Sequence, residues 1–254
     1  MIGLTSITFR GMAPREIIDL AGKAGLEGIE WGSDVHVPPG DIPLAKAIAA
    51  MCAEAGIRVT SYGSYFRAGQ GEDPTEEIRA LIADAEVLGA PVIRIWAGDQ
   101  SPADADAEYR KHVESDAALF VRMAADAGIR VATEYHRHTL TENADSALEL
   151  LQAVPGLMTY WQPNPDVSEE TNLEELERVL PYLLNVHVFQ WTSPGNIRHP
   201  LAEGKAFWTR CIRKVLAGPA REHHFLLEFV RDDLSEQCIE DAKALTDMIR
   251  GTVI

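Results

Sequence analysis

Gly128-Ile-Arg-Val-Ala-Thr-Glu-Tyr-His136 is a short β-branched run that ends in a carboxylate and an imidazole. Read as a strand, its period-2 alternation puts Arg130, Ala132, Glu134 and His136 on one face and Val131 and Thr133 on the other. Glu134 and His136 then leave the strand end together. The glycine that opens the stretch suits the left-handed position just past a helix, where the chain turns directly into a strand. Working outward, the same unit of helix, small-residue turn and strand recurs. It appears as Lys23-Ala-Gly-Leu-Glu-Gly-Ile-Glu30, Glu54-Ala-Gly-Ile-Arg-Val-Thr60 and Val87-Leu-Gly-Ala-Pro-Val-Ile-Arg94. Such units build a parallel sheet covered by helices.

Taken along the chain, strands are expected over 2–9, 27–31, 57–62, 91–97, 129–135, 157–162, 185–190 and 224–230. Helices are expected over 14–24, 42–55, 75–88, 104–127, 141–153, 172–183, 205–217 and 235–250. Eight strands alternating with eight helices in 254 residues, without a Gly-rich phosphate loop, favour a closed barrel over an open doubly wound sheet. The fold class read from the sequence is α/β, a (β/α)8 TIM barrel, with residues 1–254 forming one domain and no linker or low-complexity segment dividing it.

Hydrophobic content of 46% and charged content of 24% are globular values. No apolar run approaches the ~18 residues of a membrane span, and Met1-Ile-Gly-Leu-Thr-Ser-Ile-Thr-Phe9 lacks the basic start of a signal peptide, so a soluble cytoplasmic protein is expected. The net charge of −16 repels nucleic acid and anionic membranes. The expected partner is a small-molecule carbohydrate, with no nucleic acid and no membrane, and a homodimer is left open. Cys52, Cys211 and Cys238 are scattered within helix-like segments and read as reduced core thiols.

The connections that follow strands are rich in aromatics, His, Asp and Pro, as in Trp31-Gly-Ser-Asp-Val-His-Val-Pro-Pro-Gly-Asp41 and Gln190-Trp-Thr-Ser-Pro-Gly-Asn-Ile-Arg-His-Pro200. The turns that precede strands are small and apolar. Active sites of such barrels lie at the C-terminal strand ends, where the richer loops sit. Four consecutive strands carry ligand-type residues near that end: Glu134, Gln162, His187 and Glu228. Two carboxylates, an imidazole and an amide oxygen suit one divalent cation, Mn²⁺, Mg²⁺, Co²⁺ or Zn²⁺.

The chain resembles the xylose-isomerase-like TIM barrels, which include sugar and sugar-phosphate isomerases and epimerases, inosose dehydratases and ketose 3-epimerases. The resemblance spans essentially the whole chain. It rests on Gly25-Leu-Glu-Gly-Ile-Glu-Trp31, Glu134-Tyr-His136, Asn185-Val-His-Val188, Pro200-Leu-Ala-Glu-Gly204 and Leu227-Glu-Phe229. It implies a metal held by Glu134, His187 and Glu228, with the two glutamates also moving substrate protons. At strand six the chain departs from the family, with Gln162 where an Asp is usual; Asp166, beyond two prolines, is a poorer substitute. Gln offers an oxygen but no charge, which weakens metal binding.

The implied chemistry is proton transfer next to a carbonyl through a metal-stabilised enediolate, giving isomerisation or epimerisation of a small sugar or related polyhydroxy carbonyl compound. Elimination from the same enediolate would make the protein a dehydratase or lyase. An abasic-site endonuclease-like hydrolase and a non-catalytic sugar-binding barrel are the remaining alternatives. Residues expected to bind substrate are His136, Glu30, His36, Trp96, Arg198 and His199, and the strand-end tryptophans Trp31, Trp96, Trp161 and Trp191 suit stacking on a sugar.

Overall fold

The recurrent glycines do close helices and open strands. Gly56 follows the helix Ile42–Ala55 and Gly89 follows Thr75–Leu88, both in the left-handed region, with φ of 68° and 75°. The computed structural model describes residues 1–252. Its eight main strands are Ile2–Thr5, Gly28–Gly32, Arg58–Arg67, Val92–Trp96, Arg130–Thr133, Met158–Trp161, Leu183–Val188 and His224–Leu227, referred to below as the first to eighth. All pair in parallel, and the eighth closes the sheet onto the first as a barrel. Eight α-helices, one after each strand, surround it. This is the (β/α)8 barrel expected from the sequence.

Strand parity divides the core into two layers. Outward side chains such as Ile29, Trp31, Ile93, Ile95, Val131, Trp161, Val186 and Phe225 join the helix residues in one large apolar cluster. Each fully buried side chain of this size contributes about 1.5–3 kcal/mol of transfer free energy. Inside the barrel a small plug of Val92, Ala132, Tyr160, Leu184 and Leu226 fills the lumen. Above that plug the inward positions become polar: Glu30, Arg94 and His187 are all buried. The barrel floor is therefore apolar and its upper lumen charged.

Most expected element boundaries hold to within a few residues, with three informative differences. The first strand stops at Thr5 and continues as a 3-10 turn, Ser6–Phe9, because Ser6 turns back to accept the Gly32 amide (2.9 Å). The third strand runs on to Arg67, past the expected end at 62, with its register on the fourth strand slipping between Gly63 and Arg67. After the seventh strand, the loop folds into a short antiparallel pair, Trp191–Thr192 with Ile197–Arg198. The three cysteines are buried free thiols, as expected. Among the described residues no helix is long and apolar enough to cross a membrane.

Two stability predictions follow from this packing. Trp208, fully buried on the seventh helix, donates its Nε1 to the Phe189 carbonyl (3.0 Å) just past the seventh strand. Trp208→Phe leaves that carbonyl unpaired, and urea denaturation should show a loss of about 1–3 kcal/mol. His224 is buried with its Nε2 3.5 Å from Glu222 Oε1, and burial outweighs that carboxylate and lowers its pKa to about 4. The unfolded chain then binds more protons than the folded one between about pH 6.5 and 4, so this residue costs stability as pH falls through that window. A His224→Gln variant should lose less stability than the wild type between pH 7 and 4; parallel pH profiles of the two would remove the assignment.

Candidate active site

The residues that follow the fifth, sixth and eighth strands are Glu134, Gln162 and Glu228, and His187 is the penultimate residue of the seventh. Inward parity aims all four at the barrel axis. His187 is the hub: its Nδ1 lies 3.0 Å from Gln162 Oε1, 3.5 Å from Glu228 Oε1 and 3.7 Å from Glu134 Oε1. One donor atom each from Glu134, His187 and Glu228 lie within 4.8 Å of one another. All three side chains are buried. The Tyr160 ring meets the His187 imidazole edge-on (5.2 Å), and the Tyr160 hydroxyl accepts from Asn185 Nδ2 (2.7 Å).

A second layer of charge sits beneath. Arg94, buried at the centre of the fourth strand, donates Nε to Glu30 Oε1 (2.9 Å) and Nη1 to Glu134 Oε2. Glu30 Oε2 accepts from Ser61 Oγ (2.7 Å), and Glu30 Oε1 lies 3.4 Å from His187 Nε2. Gly63 makes room for this pair: a Cβ there would stand 2.7 Å from Arg94 Nη2 and 2.9 Å from Glu30 Oε1.

The fields of these groups set their ionisation. Burial opposes charge on Glu30, but Arg94 and His187 outweigh it and hold the carboxyl well below its ordinary range. Burial also opposes charge on His187, yet Glu228, Glu30 and Glu134 raise it to about 9. Glu228 goes the other way. Burial, reinforced by Glu134 and Glu30, pushes it up to about 7.

The donor set fits one divalent cation. Glu228 Oε1 is buried without a hydrogen-bond partner, beside an imidazole nitrogen and two further oxygens. Buried charge demands such compensation. Once a cation takes the place of the His187 proton, the carboxylates of Glu30, Glu134 and Glu228 against the Arg94 guanidinium leave two negative charges, which one divalent ion neutralises.

Over these groups opens a cleft of about 230 Å³, lined by Arg94, Glu134, Gln162 and Glu228 at its base and by Tyr65, Trp96, His136, Trp191 and Phe229 among its walls. The His136 ring packs at a tilt of 35° against Trp96 (4.6 Å between centroids), and Arg67 lies over the same indole (4.0 Å). Phe229 takes a positive φ of 45°, anchored by its amide donating to Thr8 Oγ1 (2.8 Å). A bulky residue there costs about 1–3 kcal/mol and turns the ring into the cleft.

Of the expected substrate residues, His136 and Trp96 line the cleft and four do not. Glu30 lies below it, sealed at 1% exposure by its bonds to Arg94 and Ser61. His36 is buried against the Met12 carbonyl (3.2 Å) and the Trp31 ring. Arg198 turns away to Asp233 (2.6 Å), its guanidinium behind Phe229 (4.9 Å). His199 bonds Thr192 Oγ1 (2.8 Å) and Glu203 (3.2 Å). Trp31 and Trp161 have the outward parity and are core residues; Trp96 and Trp191 line the cleft. Sequence reasoning missed Arg94, although a charged residue in the middle of Val-Ile-Arg-Ile-Trp96, in phase with Trp96, was a readable signal.

No curated protein sequence matches the chain. Among solved structures, the probable 3-DHS dehydratase AsbF of Bacillus anthracis is similar with a TM-score of 0.82 at 20% identity, over 96% of this chain and 98% of that one. D-psicose 3-epimerase with D-fructose gives 0.76 at 13% identity, over 99% of each chain. A Mycobacterium smegmatis barrel in complex with magnesium gives 0.74 at 14% identity, over 100% and 97%. These likenesses are of fold. The family model described as xylose isomerase-like TIM barrel matches residues 18–249, and with strand ends arranged in this way the chain belongs to that family.

Proposed function

We propose that the protein is a divalent-metal-dependent isomerase or epimerase of a small sugar or related polyhydroxy carbonyl compound. The observation that best supports this is the pairing of Glu134 and Glu228 around His187 at the base of one aromatic-walled cleft. Glu134, His187 and Glu228 would hold the cation, with Gln162 Oε1 as a fourth donor. When bound, the cation polarises the substrate carbonyl and offsets the negative charge that develops as a proton leaves the neighbouring carbon.

The chain's own residues do the rest. One of Glu134 and Glu228 removes the α-proton, and the same group or its partner returns it, to the adjacent carbon for isomerisation or to the opposite face for epimerisation. Arg94 fixes Glu134 Oε2, which leaves Oε1 turned toward the reacting centre. The walls of Trp96, Trp191 and Phe229 give apolar faces for the carbon chain and keep water from the proton in transit.

A second reading, dehydration, has one observation in its favour. Glu228 is pushed up to about 7 by burial, its Oε1 without a hydrogen-bond partner, while Glu134 is held by the Arg94 guanidinium, and two carboxyls in such different surroundings suit an acid and a base. An acid that can protonate a departing β-hydroxyl turns the same α-proton removal into elimination.

Two experiments test these readings. The purified protein, supplied with Mn²⁺ and incubated in D₂O with ketoses, aldoses, inososes and 3-keto sugars, should place deuterium beside the carbonyl of its substrate. Glu134→Gln and Glu228→Gln should each lower that exchange by about 10²–10⁴-fold. Exchange with recovered sugar marks isomerisation or epimerisation; loss of water with a new ultraviolet absorbance marks the dehydratase. Chelation should abolish turnover and added Mn²⁺ restore it. No exchange across the panel, together with no stoichiometric divalent ion by elemental analysis, would overturn both.

A further inference from the structure

Glu30 is fully enclosed, yet it reaches two of the three groups whose donor atoms converge. Its Oε1 accepts from Arg94 Nε (2.9 Å), and the other arm of that guanidinium holds Glu134 Oε2. The same Oε1 is 3.4 Å from His187 Nε2, a buried nitrogen with no hydrogen-bond partner of its own. On the opposite edge of the ring, Nδ1 faces Gln162, Glu134 and Glu228. One carboxylate thus stands behind the imidazole while the other acceptors stand in front. Ser61 Oγ fixes the remaining Glu30 oxygen (2.7 Å), and Gly63 supplies the space in which carboxylate and guanidinium meet.

A histidine that ligates a metal through one nitrogen is oriented by giving its other N–H to a carboxylate or carbonyl, and loss of that partner weakens the metal about 10–100-fold. We infer that Glu30 is the positioning residue of the metal centre: it holds His187 as the Nε2–H form with Nδ1 toward the cation, and through Arg94 it turns Glu134 Oε1 to the same point. This rests on the metal-centre reading of Glu134, His187 and Glu228. It also accounts for why the buried pair is not a pair of apolar side chains, which would serve the fold as well or better.

The test is Mn²⁺ affinity, measured by calorimetry and by the electron paramagnetic resonance of free Mn²⁺, on variants shown to be folded by circular dichroism. Glu30→Gln should weaken Mn²⁺ about 10–100-fold. Gly63→Ala removes no charge, but its methyl would meet Arg94 Nη2 at 2.7 Å and Glu30 Oε1 at 2.9 Å, and it should weaken Mn²⁺ as well. Glu27→Gln, an exposed change, should leave it unmoved. In Zn²⁺-loaded protein labelled with ¹⁵N-histidine, the His187 Nε2 proton should resonate downfield as one given to a carboxylate, and Glu30→Gln should move it upfield. If Glu30→Gln does not fold, Gly63→Ala and the charge-matched Glu30→Gln/Arg94→Gln pair carry the same measurement.

A residue serving only the fold would lower the thermal midpoint and leave Mn²⁺ affinity and the His187 Nε2 proton shift unchanged, and that result overturns the inference alone. Wild-type protein that binds no Mn²⁺ overturns the inference together with the metal centre. Affinity differences as expected, with no exchange on any substrate, sustain it and overturn the proposed reaction.

Discussion

The constraint on which the centre of this molecule depends is a guanidinium buried inside a β-barrel. Arg94 is 1% exposed, and taking such a charge out of water costs several kcal/mol even after relaxation. It is tolerable because Glu30 and Glu134 lie within hydrogen-bond reach on either side. Each partner then inherits the same requirement: Glu30 needs Ser61 and the edge of His187, and Glu134 needs something on its other oxygen. Compensation spreads across the third, second, fourth and seventh strands until the open acceptors are those facing His187 Nδ1. The chain keeps this arrangement in a lumen whose lower half is closed by ordinary apolar packing.

The division between the two halves of the lumen explains what could be read from the residues alone. Periodicity and helix-ending glycines report on backbone energetics and on burial against the helices, which act locally. The eight units, and with them the barrel, were therefore legible from stretches such as Asp126 to Glu134. Strand phase also puts Glu134, Gln162, His187 and Glu228 at one end of the barrel, because inward parity is a property of each strand by itself. Arg94 has the same parity, and a charge at the centre of an apolar strand is as unusual as one at its end. Its meaning emerged only when the second strand was seen to bring Glu30 against it, a contact between residues 64 positions apart.

The loops were harder for a different physical reason. Which way a loop side chain turns depends on the partner that captures it, and partners there are non-local. Arg198 is taken by Asp233 and His199 by Thr192 and Glu203, so neither reaches the cleft. His36 is drawn inward by the Met12 carbonyl. Trp31 and Trp161 sit next to Glu30 and Gln162 in sequence but on the opposite face of their strands, so that proximity in the chain is the wrong guide and parity the right one. Phe229 is the converse case. Its positive φ, which no residue preference announces, swings it into the cleft wall.

Charge balance gives Gln162 a physical reading that its residue type alone does not. An aspartate at that position would add a negative charge to a pocket where three buried carboxylates already face one guanidinium, and Glu228 is pushed up to about 7 as matters stand. Gln162 keeps the oxygen, 3.0 Å from His187 Nδ1, without the charge. The buried Glu30 and Arg94 offset one another, so the charge left for a cation comes from Glu134 and Glu228, two units for a divalent ion. A multinuclear centre of the kind a nuclease uses needs more anionic and imidazole ligands than this. The nearest additional imidazole along the cleft, His136, has its Nδ1 against the Arg137 carbonyl (2.6 Å) and its ring on Trp96. The same balance makes removal of a single charge from the layer beneath the cleft costlier to the fold than removal of a matched pair, because the pair leaves the net buried charge unchanged.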